Sequence, residues 1–442
     1  MRQLYNILFT IFLCLSAPYY FWRMWRRGNW RAGFAQRFGF YGTKVKQGVT
    51  NRQVIWLHAV SVGEVNICTQ LIRVLEVRAP NLTILVSTTT STGMGELERK
   101  LPSHILKVYY PIDRRRWVAH AFAVLHPKAV VLVEAEIWPN FLWRARGQKL
   151  PVFLVNARLS PRSYRGYKRF PPLFRPLFAS FAGVGCQNEE DARKLIELGC
   201  KPEAVRVVGN LKYDSARLHE RRLVDVPRLL RQLGAPADAR LLVGGSTHRG
   251  EEALLAELFV RLRPRFPKLF LVVVPRHFER GREAGKDISA RGVKFVFRKD
   301  VTRATQFQPG QVECLLVNTT GELQYFYEQA SAVFVGKSMT AKGGQNPIEP
   351  AMLGKPIVFG PNMQNFEAIT QALVSGQGAL QVANATELEG AVARLLGDEP
   401  FAAEIGRNAQ RVVRENLGSI ERTVDMILER LDDKEIYVVP DN

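Results

Sequence analysis

The sequence predicts an α/β protein built as two doubly wound, Rossmann-like domains facing a cleft, preceded by an N-terminal hydrophobic anchor helix. Three observations predict it. Short apolar runs alternate with amphipathic stretches along most of the chain, the pattern of a parallel sheet with helices on both faces. The alternation breaks once, near the middle. At 442 residues the chain is also too long for one ordinary core.

The anchor comes first. Leu4 to Trp22 carries no charge over 19 residues, about the length that crosses a bilayer as a helix. Arg23, Arg26, Arg27 and Arg31 follow, and positive charge on that flank keeps the downstream chain cytoplasmic. A cleaved signal peptide fits less well, because the charge lies on the wrong side. Asn6, Thr10, Ser16 and Pro18 weaken a clean spanning helix, so the segment either spans or lies in the interface. Trp22, Trp25 and Trp30 among arginines suit the headgroup layer.

Charge is segregated. No Asp or Glu precedes Glu64, while nine Lys or Arg do. Residues 1–220 have a net charge of +19 and the remainder only +2. A basic half of this kind meets nucleic acid, an anionic membrane or an anionic substrate. Five scattered cysteines form no CxxC pair and read as buried packing residues in a reducing compartment.

Strands are predicted in the first domain at 53–59, 82–87, 106–110, 129–134, 151–156, 183–187 and 205–208. In the second they fall at 240–244, 269–274, 293–297, 313–317, 332–335, 356–359 and 379–382. The domains so drawn are an anchor with its basic flank at 1–30, a first domain at 31–220, a crossover at 221–240, a second domain at 241–430 and a tail at 431–442. Residues 387–431 read as helical and able to fold back on the first domain.

Motifs narrow the chemistry. There is no GxxxxGK[ST] and no GxGxxG after the first strand, which disfavours P-loop nucleotidases and nicotinamide enzymes. No Asp-x-Asp occurs, which disfavours a sugar transferase that grips its donor through a metal, and the histidines lack ligand spacing. VGKSMTAKGGQNPIEPAMLGKP (335–356) joins a strand to a glycine-rich loop with Lys337 and Lys342, then to a helix from about Pro347. Such a loop offers N–H groups to phosphate, and Glu349 can accept from ribose hydroxyls; the bland alternative is a tight turn with a capping acid. VGGSTHRGEE (243–252) repeats the pattern, with Ser246 or Thr247 as candidate cap. Arg276 in VPRH sits at a strand's carboxyl end, fit for phosphate or merely solvated. Thr320–Gly321–Glu322 begins another helix, as a site or a simple cap. In the first domain HAVSVGE (58–64) places Glu64 at a helix start, a general base or a dipole-matching acid. Glu134 and Glu136 follow a buried run, and Lys212 lies in GNLKYD near the domain junction. The strip 158–176 mixes basic and apolar residues and reads better as a surface for acidic lipid than for nucleic acid.

HAVSVGE, EAEIWPN, NARLS, GNLKYD, GSTH, VPRH and GGQNPIEPAMLGKP occur in one order over nearly the whole chain. In this the sequence resembles the bacterial 3-deoxy-D-manno-octulosonic acid (Kdo) transferases, which are GT-B glycosyltransferases. The resemblance implies transfer of Kdo from CMP-Kdo to an anionic lipid A precursor in lipopolysaccharide synthesis. It implies an inner-membrane enzyme with its catalytic domains on the cytoplasmic side. No cofactor, metal or nucleic acid is implied. Glu64 matches the family's general base. Glu134 and Lys212 match positions assigned to transition-state stabilisation. Pro275, Arg276, Thr320, Gly321, Glu322, Asn346, Pro347, Ile348 and Glu349 match the CMP-binding segments. Gln345 departs from the usual His, and the first box reads EAE rather than ETE. The competing readings are a GT-B enzyme using a UDP sugar (a glycolipid transferase or a nucleotide-sugar epimerase) and a non-catalytic membrane protein that binds anionic lipid.

Overall fold

The structure, a computed structural model, describes residues 1–26, 31–216 and 224–431. Arg27, Trp30 and residues 432–442 of the predicted tail lie outside the described residues. The chain forms two compact units, Met1–Ser215 with Leu417–Asn442, and Ala216–Asn416.

Unit 1 holds seven parallel strands: β1 (Val54–His58), β2 (Thr83–Thr88), β3 (Leu106–Tyr109), β4 (Pro127–Val133), β5 (Val152–Ala157), β6 (Gly183–Cys186) and β7 (Val205–Val207). Their order is β3-β2-β1-β4-β5-β6-β7. All seven fall where the sequence predicts them. Runs such as Val54–His58 are buried along their whole length, because both faces of a parallel sheet are covered. The order reverses between β1 and β4. That switch point opens a crevice at the carboxyl ends of those two strands.

Five helices of unit 1 matter for the site: α1 (Arg2–Arg26), α2 (Val62–Arg78), α3 (Pro139–Gly147), α4 (Pro161–Arg169) and α5 (Pro171–Phe178). Among the described residues α1 alone is long and apolar enough to cross a membrane. Cys14 lies exposed on it, contrary to the expected packing role, which the other four cysteines do fill.

Unit 2 repeats the plan with β8 (Arg240–Thr247), β9 (Leu269–Pro275), β10 (Phe295–Phe297), β11 (Cys314–Leu316), β12 (Ala332–Val335), β13 (Ile357–Phe359) and β14 (Leu380–Gln381). The order is β10-β11-β9-β8-β12-β13-β14, with its switch point between β8 and β12. Its helices include α6 (Val226–Gln232), α7 (Glu251–Leu262), α8 (Leu323–Gln329), α9 (Ile348–Met352), α10 (Ala385–Gly397) and α11 (Glu399–Glu415).

Two predicted boundaries move. The crossover is predicted at 221–240, of which 221–223 lie outside the described residues, and α6 already belongs to unit 2. Asp225 caps it, and Val226, Leu229, Leu230 and Leu233 are buried, so an apolar stripe lies hidden in a charged stretch. The second domain is predicted to run to residue 430, but the last described helix, α12 (Ser419–Leu428), returns to unit 1, within the stretch expected to fold back. There Ile420, Val424, Met426 and Ile427 pack with Leu71, Ile72 and Val131. Asp214 holds the returning chain by accepting the N–H groups of Gly418 and Ile420, both at 2.7 Å.

Candidate active site

Both switch points carry strained backbone. Glu134 follows β4 with φ 61°, and Asn156 lies near the end of β5 with φ 52°. In unit 2, Ser246 in β8 has φ 54° and Lys337 after β12 has φ 55°. A side chain at such angles costs of order 1–3 kcal/mol and re-aims the chain there.

In unit 1 the loop after β1 leads to Ser61, the N-cap of α2. Ser61 and Glu64 form a capping box. Glu64 Oε2 accepts the Val60 N–H at 2.8 Å, and Oε1 accepts the Ser61 hydroxyl at 2.6 Å. The structural role is therefore real, yet the side chain keeps an opening to solvent, at 8% exposure. Burial pushes its pKa up against the three bonds that favour the anion, and the charge of Glu134 pushes the same way.

Glu134 follows β4 across the switch point. Two residues on, Glu136 accepts the Trp138 indole N–H at 2.7 Å. Burial, then the charges of Glu64 and Glu134, raise Glu136 to about 7. Its neighbour His58 is wholly buried and stacks on Tyr110 with centroids 3.8 Å apart. His58 Nε2 lies 4.0 Å from Glu136 Oε2. Burial lowers this imidazole to about 3, so the pair is a neutral ring beside a carboxyl group and not an ion pair.

Lys212 arrives through a chain of amide contacts. Gln187 Nε2 donates to the Asn156 carbonyl at 3.1 Å, and Asn210 Nδ2 donates to Gln187 Oε1 at 2.9 Å. The Leu211 N–H meets Asn156 Oδ1 at 3.1 Å, and the Lys212 N–H meets Asn210 Oδ1 at 3.0 Å. Burial lowers the Lys212 pKa; Glu134 and Glu64 oppose that, while Arg158 adds to it. Glu64, Glu134, Glu136, Arg158 and Lys212 thus share one electrostatic cluster at the carboxyl edge of the sheet. A cavity of about 1020 Å³ lined by Lys46, Arg52, His126 and Lys128 lies at the amino ends of β1 and β4, so size alone does not locate the site.

Unit 2 gathers cations. Arg276 follows β9, with its N–H on the Thr247 carbonyl at 3.0 Å. His248 is lowered to about 4, first by burial and then by Lys337, His277, Arg280 and Arg276. Gln345 Nε2 lies 3.3 Å from His248 Nε2, so the residue that departs from the resemblance still reaches this cluster. Asn346 Oδ1 accepts the Ile348 N–H at 3.1 Å as the chain enters α9, where Pro347 stands just before the first turn. Asn346 Nδ2 lies 3.4 Å from Glu349 Oε1. Thr320 and Gly321 are exposed just before α8, and Glu322 pairs with Arg298 at 3.0 Å. Since β11, β9, β8 and β12 are neighbours, the loops bearing Thr320, Arg276, His248 and Lys337 line one edge.

The glycine-rich loop differs from expectation. Its first N–H groups do not await a phosphate. Glu251, fully buried at the start of α7, accepts those of Lys337 (2.6 Å), Ser338 (2.9 Å) and Met339 (3.0 Å), and also that of His248 (2.8 Å). Nor do Ser246 and Thr247 cap α7: Gly250 is its N-cap, and the Thr247 hydroxyl donates to Glu252 at 2.9 Å. Gly336 lets the two loops touch, because a Cβ there would fall 2.4 Å from the Ser246 carbonyl oxygen. Sequence reading missed Glu251, whose only signal is the acidic pair opening a helix. It also missed Asp113, a buried acid that accepts the Asn140 and Phe141 N–H groups at 3.0 and 2.9 Å.

Comparison with known proteins identifies the family of the chain. A family model described as 3-deoxy-D-manno-octulosonic-acid transferase (kdotransferase) matches residues 32–215. The 3-deoxy-D-manno-octulosonic acid transferase of Haemophilus influenzae is 30% identical over 90% of this chain and 91% of its own length. That of Bordetella pertussis is 31% identical over 95% and 98%. A glycosyltransferase structure from Rickettsia africae superposes with a TM-score of 0.57 at 12% identity, covering 87% of this chain and 100% of that one, which speaks to the fold alone. With two seven-stranded Rossmann-like units and full-length relatives at this identity, the chain belongs to the 3-deoxy-D-manno-octulosonic acid transferases, glycosyltransferases of the GT-B fold.

Proposed function

We propose that this enzyme transfers Kdo from CMP-Kdo to an anionic lipid A precursor of the lipid IVA type, in lipopolysaccharide synthesis at the cytoplasmic face of the inner membrane. The observation that carries the chemistry is the cluster of Glu64, Glu134 and Lys212 at the switch point of unit 1. Glu64 takes the proton of the acceptor hydroxyl as its oxygen attacks the anomeric carbon of Kdo. The bond from that carbon to the phosphate oxygen breaks, and CMP leaves with the electron pair. Attack opposite the leaving group inverts the anomeric centre. The raised pKa, caused first by burial, makes Glu64 a better base than an exposed carboxylate. Lys212 and Glu134 stabilise the charges that develop in the transition state.

The donor belongs to unit 2. Arg276, Lys337 and the neighbouring basic groups meet the single phosphate, so the reaction needs no metal. Pro275, Thr320, Gly321, Glu322, Asn346, Pro347, Ile348 and Glu349 frame the cytidine and its ribose. Electroneutrality supports the acceptor assignment: a phosphorylated glycolipid suits a chain whose first 220 residues are strongly basic. The apolar α1 brings the enzyme to the membrane.

The test incubates purified protein with CMP-Kdo and a tetra-acylated lipid A precursor and weighs the lipid product by mass spectrometry. A mass gain of whole Kdo units, suppressed by added CMP and not by UDP, is expected. No gain, or suppression by UDP alone, would refute the proposal in favour of a UDP-sugar enzyme.

A further inference from the structure

The helix α1 is built inside out for a soluble protein. Tyr5, Asn6, Phe9, Thr10, Leu13 and Ser16 recur at helical spacing and are partly covered. That face carries the polar groups of Tyr5, Asn6, Thr10 and Ser16 beside Phe9 and Leu13. The opposite face is apolar and open: Leu4, Ile7, Leu8, Ile11, Phe12 and Leu15 are all more than half exposed.

Both ends of the helix are tied to unit 1. At the start, the Tyr5 hydroxyl donates to Asp113 Oδ2 at 2.8 Å. Asn140 Nδ2 donates to Asn6 Oδ1 at 2.9 Å, and Tyr5 meets the Trp143 ring edge-on at 5.7 Å. At the other end Phe21 packs edge-on against Phe34 at 6.4 Å, Phe34 against Phe38 at 5.2 Å, and Phe38 against Trp117 at 4.8 Å. Tyr5 and Phe21 are separated by ~24 Å of helix rise. A helix crossing the ~30 Å hydrocarbon layer cannot keep both ends on one water-soluble unit. Crossing would pull Tyr5 off Asp113, the buried acid that also caps α3 directly after the loop of Glu134 and Glu136. It would also carry Asn6, Thr10 and Ser16 into lipid.

We propose that α1 lies in the plane of the cytoplasmic membrane interface, its polar face on unit 1 and its apolar face in the lipid, and does not cross the bilayer. The proposal rests on the membrane reading given above and fixes its geometry. Charge complementarity names the occupant of the open face as an anionic phospholipid layer. Arg2 stands close enough to Arg115 and Arg144 for mutual repulsion, a cluster that headgroup phosphates would relieve. Exposed Trp22 and Trp25 sit at headgroup depth for an in-plane helix. Next to α3, against which α1 begins, packs α5. The adjoining α4 exposes Arg162, Arg165, Lys168 and Arg169, and Phe170 after it is half exposed.

The test uses the full chain in its membrane. With the exposed Cys14 replaced (Cys14→Ser), a single reporter is placed at the exposed start of α1 (Gln3→Cys), or at exposed Lys201 (Lys201→Cys) as the cytoplasmic reference. A membrane-impermeant maleimide is added to right-side-out and to inverted vesicles. The in-plane helix predicts that both reporters label only in inverted vesicles. Labelling of the Gln3→Cys reporter from the outer side, with the Lys201→Cys reporter still cytoplasmic, would overturn the in-plane helix and leave the membrane reading standing. Recovery of the chain wholly in the soluble fraction would overturn both.

Discussion

Each unit places a glutamate at the first helix after its first strand, and the two are used differently. Glu64 accepts from two backbone N–H groups and one hydroxyl and keeps a small opening to solvent. Glu251 accepts from four backbone N–H groups and keeps none. Burial raises both pKa values. The difference lies in what remains free: a carboxylate whose lone pairs are all spoken for can hold two loops together but cannot receive a substrate proton. The same local device therefore serves chemistry in unit 1 and architecture in unit 2. Their surroundings match, with acids around Glu64 and cations around the loops that Glu251 joins.

The largest effect expected from breaking this comparison is structural. Glu251→Ala leaves four buried N–H groups without an acceptor, at about 1–3 kcal/mol for each that water cannot reach. Chemical denaturation followed by CMP binding should find unit 2 destabilised by ~3 kcal/mol or more and donor affinity lost with it. A variant with unchanged stability would show that the loops hold together without the carboxylate.

Arg276→Ala sharpens the other side of the contrast. Loss of one charge-assisted contact to phosphate should raise the donor KM by roughly 10-fold or more, with kcat less affected. Steady-state kinetics over a range of CMP-Kdo concentrations measures this, and an unchanged KM would remove Arg276 from the donor site.

The smallest effect concerns Glu136. Burial raises it to about 7, so the folded protein holds that proton more tightly than the unfolded chain. Its contribution to stability is complete below about 4.5, the ordinary value for a glutamate carboxyl, and is lost as pH rises through about 7. Glu136→Gln should therefore be more stable than the parent at pH 8, by on the order of 1 kcal/mol, with the gap closing toward pH 4. Melting curves at the two pH values test the sign.

Much of this was legible in the chain. The fourteen strands of the described residues could be placed, most readily the central ones, whose burial on both faces leaves unbroken apolar runs such as Val54–Leu57 and Leu269–Val274. The acids and cations at strand ends were legible as well, since parallel topology sends those ends to one edge. What was hidden depends on contacts through space. Asp113 reads as one more charge before three arginines, yet it joins α1 to α3. The N–H groups of the glycine-rich loop look free until Glu251, 86 positions away from Lys337, is seen to hold them. The sequence shows a helical stretch able to fold back on the first domain, as α12 does, but not that Asp214 holds it, since its partners lie some 200 residues on. Pattern along a chain reports periodicity and burial; it does not report which buried acid meets which distant N–H.

The measurement that reaches the central claim most directly is the rate of the chemical step in Glu64→Gln, by single turnover with CMP-Kdo and lipid A precursor both saturating. Glutamine keeps the size of the side chain and one acceptor oxygen, enough for the Val60 N–H or for the Ser61 donors but not both, while its amide can donate to the Ser61 hydroxyl, so the fold should stand with the base gone. The account predicts CMP and acceptor binding near that of the parent and product formation slower by ~10²–10⁴. Product formed at close to the parental rate would contradict it and return Glu64 to the role of a helix cap.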